Sequence, residues 1–169
     1  MKIKTGLNTF ISSKATIGKN VEIGSHCIIS SGVKIGDNTI IKNFVELRDN
    51  TTIGENCLID SRVTSSGQCK IGNNVTLRYG TIIARGCDID DNCYFSPRVM
   101  TNNLDSDKSQ IGGAKFGKNT FVGTNAVIHH GIEIKENVII GAMSFVNHDC
   151  DSNSTYFGIP AKKTKNGNS

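Results

Sequence analysis

The chain has 169 residues, 37% of them hydrophobic and 6% aromatic, with no tryptophan. That length suits one domain, and the apolar content is thin for a globular core. The formal net charge of +4 is mild; lysines and arginines are dispersed except at Lys162, Lys163 and Lys165, which speaks against nucleic-acid binding and fits a small anionic ligand. No segment approaches the ~18 consecutive apolar residues of a membrane helix, and Met-Lys-Ile-Lys-Thr-Gly at the start lacks the apolar run of a signal peptide. A cytoplasmic protein without a membrane span is expected.

Residues 1–10 read as an N-terminal cap or imperfect coil. From Ile11 onward an apolar residue recurs every sixth position: Ile11, Ile17, Ile23, Ile29, Ile35, Ile41, Leu47, Ile53 and Ile59, then Ser65, then Ile71, Leu77, Ile83, Ile89 and Phe95. A period of six matches neither a helix nor a coiled coil. A strict hexad predicts a parallel β-helix, in which each repeat forms one short flat side of a coil. One inward aliphatic per hexad supplies enough core for such a fold. Three hexads per coil give about seven coils over residues 11–151. Glycines directly after the inward residue, such as Gly18, Gly24, Gly36, Gly54 and Gly72, are expected at corners with positive φ.

The cysteines follow the same frame. Cys27, Cys57, Cys69, Cys87, Cys93 and Cys150 each stand four residues after a repeat position, in a slot otherwise held by small or β-branched residues. Free Cys behaves as a small hydrophobe, so all six are expected inward and reduced.

The repeat lapses after Thr101 and resumes at Phe116, Val122, Ile128, Ile134, Ile140 and Val146. The gap holds one hexad and about nine further residues, predicting an exposed loop near 104–113. Residues 152–169 form a C-terminal extension, with a polar end from 161 expected to fray. In this register Ile83, Thr101, Ile128 and Val146 start the same side of successive coils. Two residues beyond each lie Arg85, Asn103, His130 and His148, expected to form an outward row beside the loop.

The C-terminal third runs Phe116-Gly-Lys-Asn-Thr-Phe-Val-Gly-Thr-Asn-Ala-Val-Ile-His-His-Gly, then Val-Ile-Ile-Gly-Ala-Met-Ser-Phe-Val, Asn147-His-Asp and Phe157-Gly-Ile-Pro-Ala-Lys-Lys163. This resembles the hexapeptide-repeat acyltransferases, whose last coils read I-G-x-N-A-x-I-x-P-G-V, V-I-G-A-G-S-V-V, T-K-D and G-x-P-A-K. The resemblance implies an all-β, left-handed parallel β-helix, a hand that departs from the usual right-handed crossover. It also implies a homotrimer with acetyl-CoA as cosubstrate in a groove between neighbouring rods, and an inserted loop reaching a shared site. Phe95-Ser-Pro-Arg-Val-Met-Thr-Asn-Asn103 is most similar to the acetyltransferases that modify nucleotide-linked amino sugars. Thr-Asn-Asn-Leu-Asp lacks the proline-arginine that often follows. Ser106 stands about where several related groups carry a histidine, and His130 replaces the proline of I-x-P-G.

Acyl transfer from a thioester needs a group to take the acceptor's proton and donors for the developing oxyanion. Histidine is the usual base near neutral pH. His130, at the foot of the loop, is the candidate base, set against an ordinary surface histidine. His129 reads as structural, and His26 and His148 as surface residues. Asn102 and Asn103 are candidates to orient the acceptor, set against simple turn formers. Gly123, Gly141 and Ala142 are candidates to admit the pantetheine arm, set against coil geometry. Lys162 and Lys163 are candidates to meet the coenzyme phosphates. Arg48, Arg78, Arg85 and Arg98 either pair with acids across coils or meet a sugar-linked phosphate. No metal is expected. The reading is N-acetylation of a nucleotide-linked amino sugar. The alternatives are O-acetylation of a small hydroxyl acceptor, a non-catalytic trimeric scaffold, or a zinc-dependent γ-type carbonic anhydrase, which Ala126-Val-Ile-His129 faintly resembles but which wants three converging histidines.

Overall fold

The computed structural model describes residues 4–109 and 112–164. Residues 110 and 111 of the expected loop and 165–169 of the C-terminal extension, with Lys165, lie outside the described residues. Twenty-three strands of two residues run from Lys4–Thr5 to Phe145–Val146, followed by Thr155–Gly158 and Ala161–Lys163. No helix occurs among the described residues. The strands stack into three sheets of ten, eight and seven strands, the three sides of a prism, parallel throughout except that Ala161–Lys163 pairs antiparallel with Thr155–Gly158. The first side starts at Lys4–Thr5, the second at Phe10–Ile11 and the third at Thr16–Ile17. The parallel β-helix is therefore present. It has about eight turns instead of about seven, because Lys4–Thr5 pairs with Glu22–Ile23 and Thr155–Tyr156 pairs with Ile139–Ile140, beyond the span of the hexads.

Register follows the repeat. Ile41 pairs with Ile59 and Ile59 with Leu77, 18 residues apart. Across the loop Ile89 pairs with Phe116, 27 residues on, so nine residues are inserted. From Phe10–Ile11 onward the second residue of each two-residue strand points inward, and Ile29, Leu47, Ile59, Leu77, Ile83, Phe95 and Ile128 are fully buried. Each buried aliphatic contributes about 1.5–3 kcal/mol relative to exposure. Ser65 stands in the same column, buried, and its hydroxyl is satisfied by the Thr51 hydroxyl. All six cysteines are buried and unpaired, as the slot predicts.

The corner chemistry differs from expectation at the glycines. Positive φ falls three residues after the inward position, at Asn20, Asn38, Asn56, Gly32 and Gly80 among others. Gly36 and its equivalents have ordinary φ; their constraint is contact between coils, since a Cβ on Gly36 would lie 2.5 Å from the Gly54 carbonyl carbon. The corner after the third side carries Asn20, Asn38, Asn56, Asn74, Asn92, Asn119, Asn137 and Asn153, all left-handed. Their side-chain amides bond from coil to coil, as from Asn119 to Asn137 at 2.9 Å and Asn137 to Asn153 at 3.0 Å. Asn suits this corner because it tolerates the left-handed region and brings both donor and acceptor.

The three sides differ in what they show outward. The third side presents Thr16, Lys34, Thr52, Lys70, Asp88, Lys115 and Glu133. The second presents Phe10, Ile28, Glu46, Thr64, Ile82, Met100, Val127 and Phe145, and the first Lys4, Glu22, Ile40, Leu58, Thr76, Tyr94, Phe121, Ile139 and Thr155. One side is polar, the second is largely apolar, and the first is mainly apolar from Ile40 to Ile139.

Candidate functional site

The corner after the second side is where the repeat is interrupted, so its residues have the least to do with coil building. Met100–Thr101 pairs with Val127–Ile128, and Ile128 with Val146, which places Asn103, His130 and His148 on successive coils as the register predicts. The Asn102 backbone N–H donates to the Ile128 carbonyl at 3.0 Å, and the strand ends there. The chain returns at Gly112, whose N–H donates to the Asn103 carbonyl and whose carbonyl accepts from the Gly131 N–H at 3.1 Å. Asn102 and Asn103 are half-buried, and neither side-chain amide has a hydrogen-bond partner among the described residues.

His130 is not outward. Its residue is 8% exposed, and Nε2 is buried without a hydrogen-bond partner. The cause is local: the returning loop is tied to Gly131, the next residue, and the His130 ring packs on His129 with centroids 3.9 Å apart. His129 is half-buried and also meets the Phe145 ring edge-on. An unpaired buried nitrogen is uncommon, and such atoms mark strain, a chemical role or the seat of an ordered water. His148 remains exposed, bonded to the Asn147 side chain and against Tyr156.

The structure adds a residue that the sequence reading left aside. Asp105, two residues into the loop, has its carboxyl held below the usual range, first by the Ser106 backbone N–H and also by the positive potential of His130 and His129. The Asp105 carboxylate is exposed, and it accepts a hydrogen bond from the Ser106 N–H at 2.6 Å. The signal was present as an acid just after Thr-Asn-Asn-Leu, one coil below His-His, but loop geometry has no period from which to place it.

The remaining candidates lie elsewhere. Gly123 and Gly141 sit on the corner between the first and second sides, and Ala142 is exposed beside them. A Cβ on Gly123 would run into the Ala142 backbone, and one on Gly141 would lie 2.8 Å from Phe157 Cβ. Coil packing therefore accounts for both glycines. Lys162 and Lys163 are on the terminal hairpin, where Phe157 pairs with Lys162 and Tyr156 with Lys163. Lys163 makes a 3.2 Å ion pair with Asp151 and borders a cleft of about 570 Å³ with Asn137, Asn153, Ser154 and Thr164. Within one chain these groups do not converge with His130. Arg48 pairs with Glu46 at 2.8 Å, and Arg78 with Asp60 and the Tyr94 hydroxyl, each at 3.2 Å. Among the described residues no three His, Cys, Asp or Glu side chains are grouped to hold a metal ion.

A prism of hexad coils with one loop, beside which a histidine is buried unpaired, defines a class of proteins before it defines a member. The family described as the GMPPB C-terminal domain matches residues 5–105, and that described as bacterial transferase hexapeptide (six repeats) matches residues 113–148. The first of these spans more than half of the chain, so the chain belongs to the GMPPB C-terminal domain family, and it carries transferase hexapeptide repeats over residues 113–148. It is 32% identical over 74 residues to dTDP-4-amino-4,6-dideoxy-D-glucose acyltransferase of Escherichia coli, a match spanning 42% of this chain and 38% of that relative. The chain therefore matches about two-fifths of the relative's length. Two solved structures share the fold. UDP-N-acetylglucosamine acyltransferase of Francisella novicida has a TM-score of 0.74 at 19% identity, over 92% of this chain and 67% of that one. Perosamine N-acetyltransferase of Caulobacter crescentus, in complex with CoA and GDP-perosamine, has a TM-score of 0.58 at 19% identity, over 95% and 58%.

Proposed function

We propose that the protein transfers an acetyl group from acetyl-CoA to the amine of a nucleotide-linked amino sugar, as a homotrimer. The observation that carries this is the buried, unpartnered Nε2 of His130 on the interrupted corner, at the foot of the loop that carries Asp105. The sequence match to an acyltransferase of a dTDP-linked amino sugar supports the acceptor class.

The chemistry asked of the site is modest. The acceptor enters as an ammonium and must lose a proton to become nucleophilic. His130 Nε2 takes that proton, and the amine attacks the thioester carbonyl. The tetrahedral intermediate expels the coenzyme thiolate, which leaves protonated, and the product is an amide. Asp105 offsets the positive charge that His130 gains, and the free amides of Asn102 and Asn103 orient the acceptor. The ring must turn or the loop shift for the amine to reach Nε2.

A neighbouring chain completes the reading. Gly123, Gly141, Lys162 and Lys163 stand off the His130 corner within one chain, so a coenzyme meeting both must cross between subunits. Two mainly apolar sides on each prism support that packing, because three prisms bury two sides each and leave the polar third side to water. The buried reduced thiols support a cytoplasmic setting.

The test is a purified-protein assay of coenzyme thiol release from acetyl-CoA, with dTDP-4-amino-4,6-dideoxy-D-glucose against UDP-N-acetylglucosamine as acceptors. Release with the amine and not with the hydroxyl sugar is the expected result. Release with the hydroxyl sugar alone moves the assignment to O-acylation.

A further inference from the structure

The corner that carries Asn103 and His130 continues down the prism into a cleft of about 420 Å³. Its walls include Arg48, Asp49, Ser66, Gln68 and Arg85. They come from successive coils on the same side, since Leu47 pairs with Ser65 and Ser65 with Ile83. Arg85 stands one coil below Asn103 in the row that leads to His130. With parallel strands ~4.8 Å apart, the cleft starts within about 5 Å of the reaction corner and runs away from it.

The charges in the cleft are unequal in availability. Arg48 is already paired with Glu46 at 2.8 Å. Arg85 is exposed and has no ion pair among the described residues. Around it stand the Ser66 hydroxyl and the Gln68 amide, neutral donors. Glu46 also lines the cleft but is held by Arg48; Asp49 is the acid without an ion pair among the described residues, and it repels an anion at its end of the cleft. Arg presents its donors in a planar fork that matches a phosphate bidentately.

We infer that this cleft binds a diphosphate, and that Arg85 anchors the diphosphate of the acceptor while its amine reaches the His130 corner. The inference rests on the proposed acyl transfer, and it adds a specificity-determining residue and a direction for the acceptor along the prism. Diphosphate also occurs in the coenzyme, so the two sources must be told apart.

Calorimetric binding of dTDP and of CoA to the wild-type protein, Arg85→Gln, Arg85→Lys and Asp49→Asn separates them. Arg85→Gln weakens dTDP about tenfold or more and leaves CoA unchanged; Arg85→Lys recovers part of the loss, and Asp49→Asn tightens dTDP. With the dTDP-linked amine as acceptor, Arg85→Gln raises KM and leaves kcat near wild type. Unchanged dTDP affinity in Arg85→Gln, with an unchanged melting temperature, overturns the inference. Loss of CoA affinity in its place assigns the cleft to the donor and overturns it equally. If dTDP binds through Arg85 yet no thiol is released from acetyl-CoA, the acyl-transfer reading fails and the diphosphate cleft stands.

Discussion

A buried nitrogen with no partner costs about 1–3 kcal/mol of desolvation, and His130 Nε2 bears that cost in the unliganded chain. If it is the proton acceptor, His130→Ala lowers kcat by about 10²-fold or more and leaves CoA affinity little changed, because the loss falls on the transition state. His26→Ala is the control: His26 stacks on Phe44 at 5.0 Å on another corner, and its loss leaves kcat unchanged. Near-normal kcat in His130→Ala together with a large loss in Asn103→Ala assigns the work to amine orientation. The place of His130 in the row was legible in the sequence, but its burial was not. Hexad register fixes which coil a residue is on and says nothing of where an inserted loop lies. The thiols give a second residue-scale expectation. Burial pushes Cys87 and Cys93 up to about 11 and Cys150 to about 12. An acid whose folded pKa is raised stabilises the fold below its unfolded value, near 8.5, and loses that contribution as pH rises toward the folded value. Thermal melts are therefore expected to show stability falling between about pH 9 and 12, and Cys93→Val to flatten part of that fall. Thiol titration of the native protein is slow, then complete on unfolding; rapid native labelling contradicts the inward placement.

At the scale of the coil, close approach sets the rules. Gly36→Ala places a Cβ against the Gly54 backbone, and chemical denaturation is expected to show a loss of about 1–3 kcal/mol. The glycines were legible as special positions, while the reason was misread as left-handed φ, because sequence alone does not separate a turn requirement from contact between coils. Left-handed φ instead falls on the asparagine column and on bulky residues such as Phe44 and Arg62, which form their own stack. The insert was legible to the residue, since a fixed period of 18 turns the 27-residue step from Ile89 to Phe116 into a count of nine. The coil does not need those nine residues. Their excision keeps the melting temperature close to wild type and lowers acceptor turnover; unchanged turnover moves the acceptor away from this corner.

At the scale of the molecule, one polar side and two mainly apolar sides call for company. Sedimentation is expected at three times the 18.2 kDa chain mass, and a single-chain mass in dilute buffer contradicts the shared groove. The fold was legible because the hexad repeats through nearly the whole chain, each instance confirming the others. The acceptor was not, since outward positions of a solenoid vary without cost to the core. The central claim is that this prism moves an acyl group onto an amine beside His130. Acceptor-dependent thiol release from acetyl-CoA, followed with dTDP-4-amino-4,6-dideoxy-D-glucose for the wild-type protein and for His130→Ala, tests it most directly. The account predicts release matched by N-acetylated product in the wild type and a rate about 10²-fold lower in the variant. A folded wild-type protein that releases no thiol with this or any other nucleotide-linked amino sugar would contradict it.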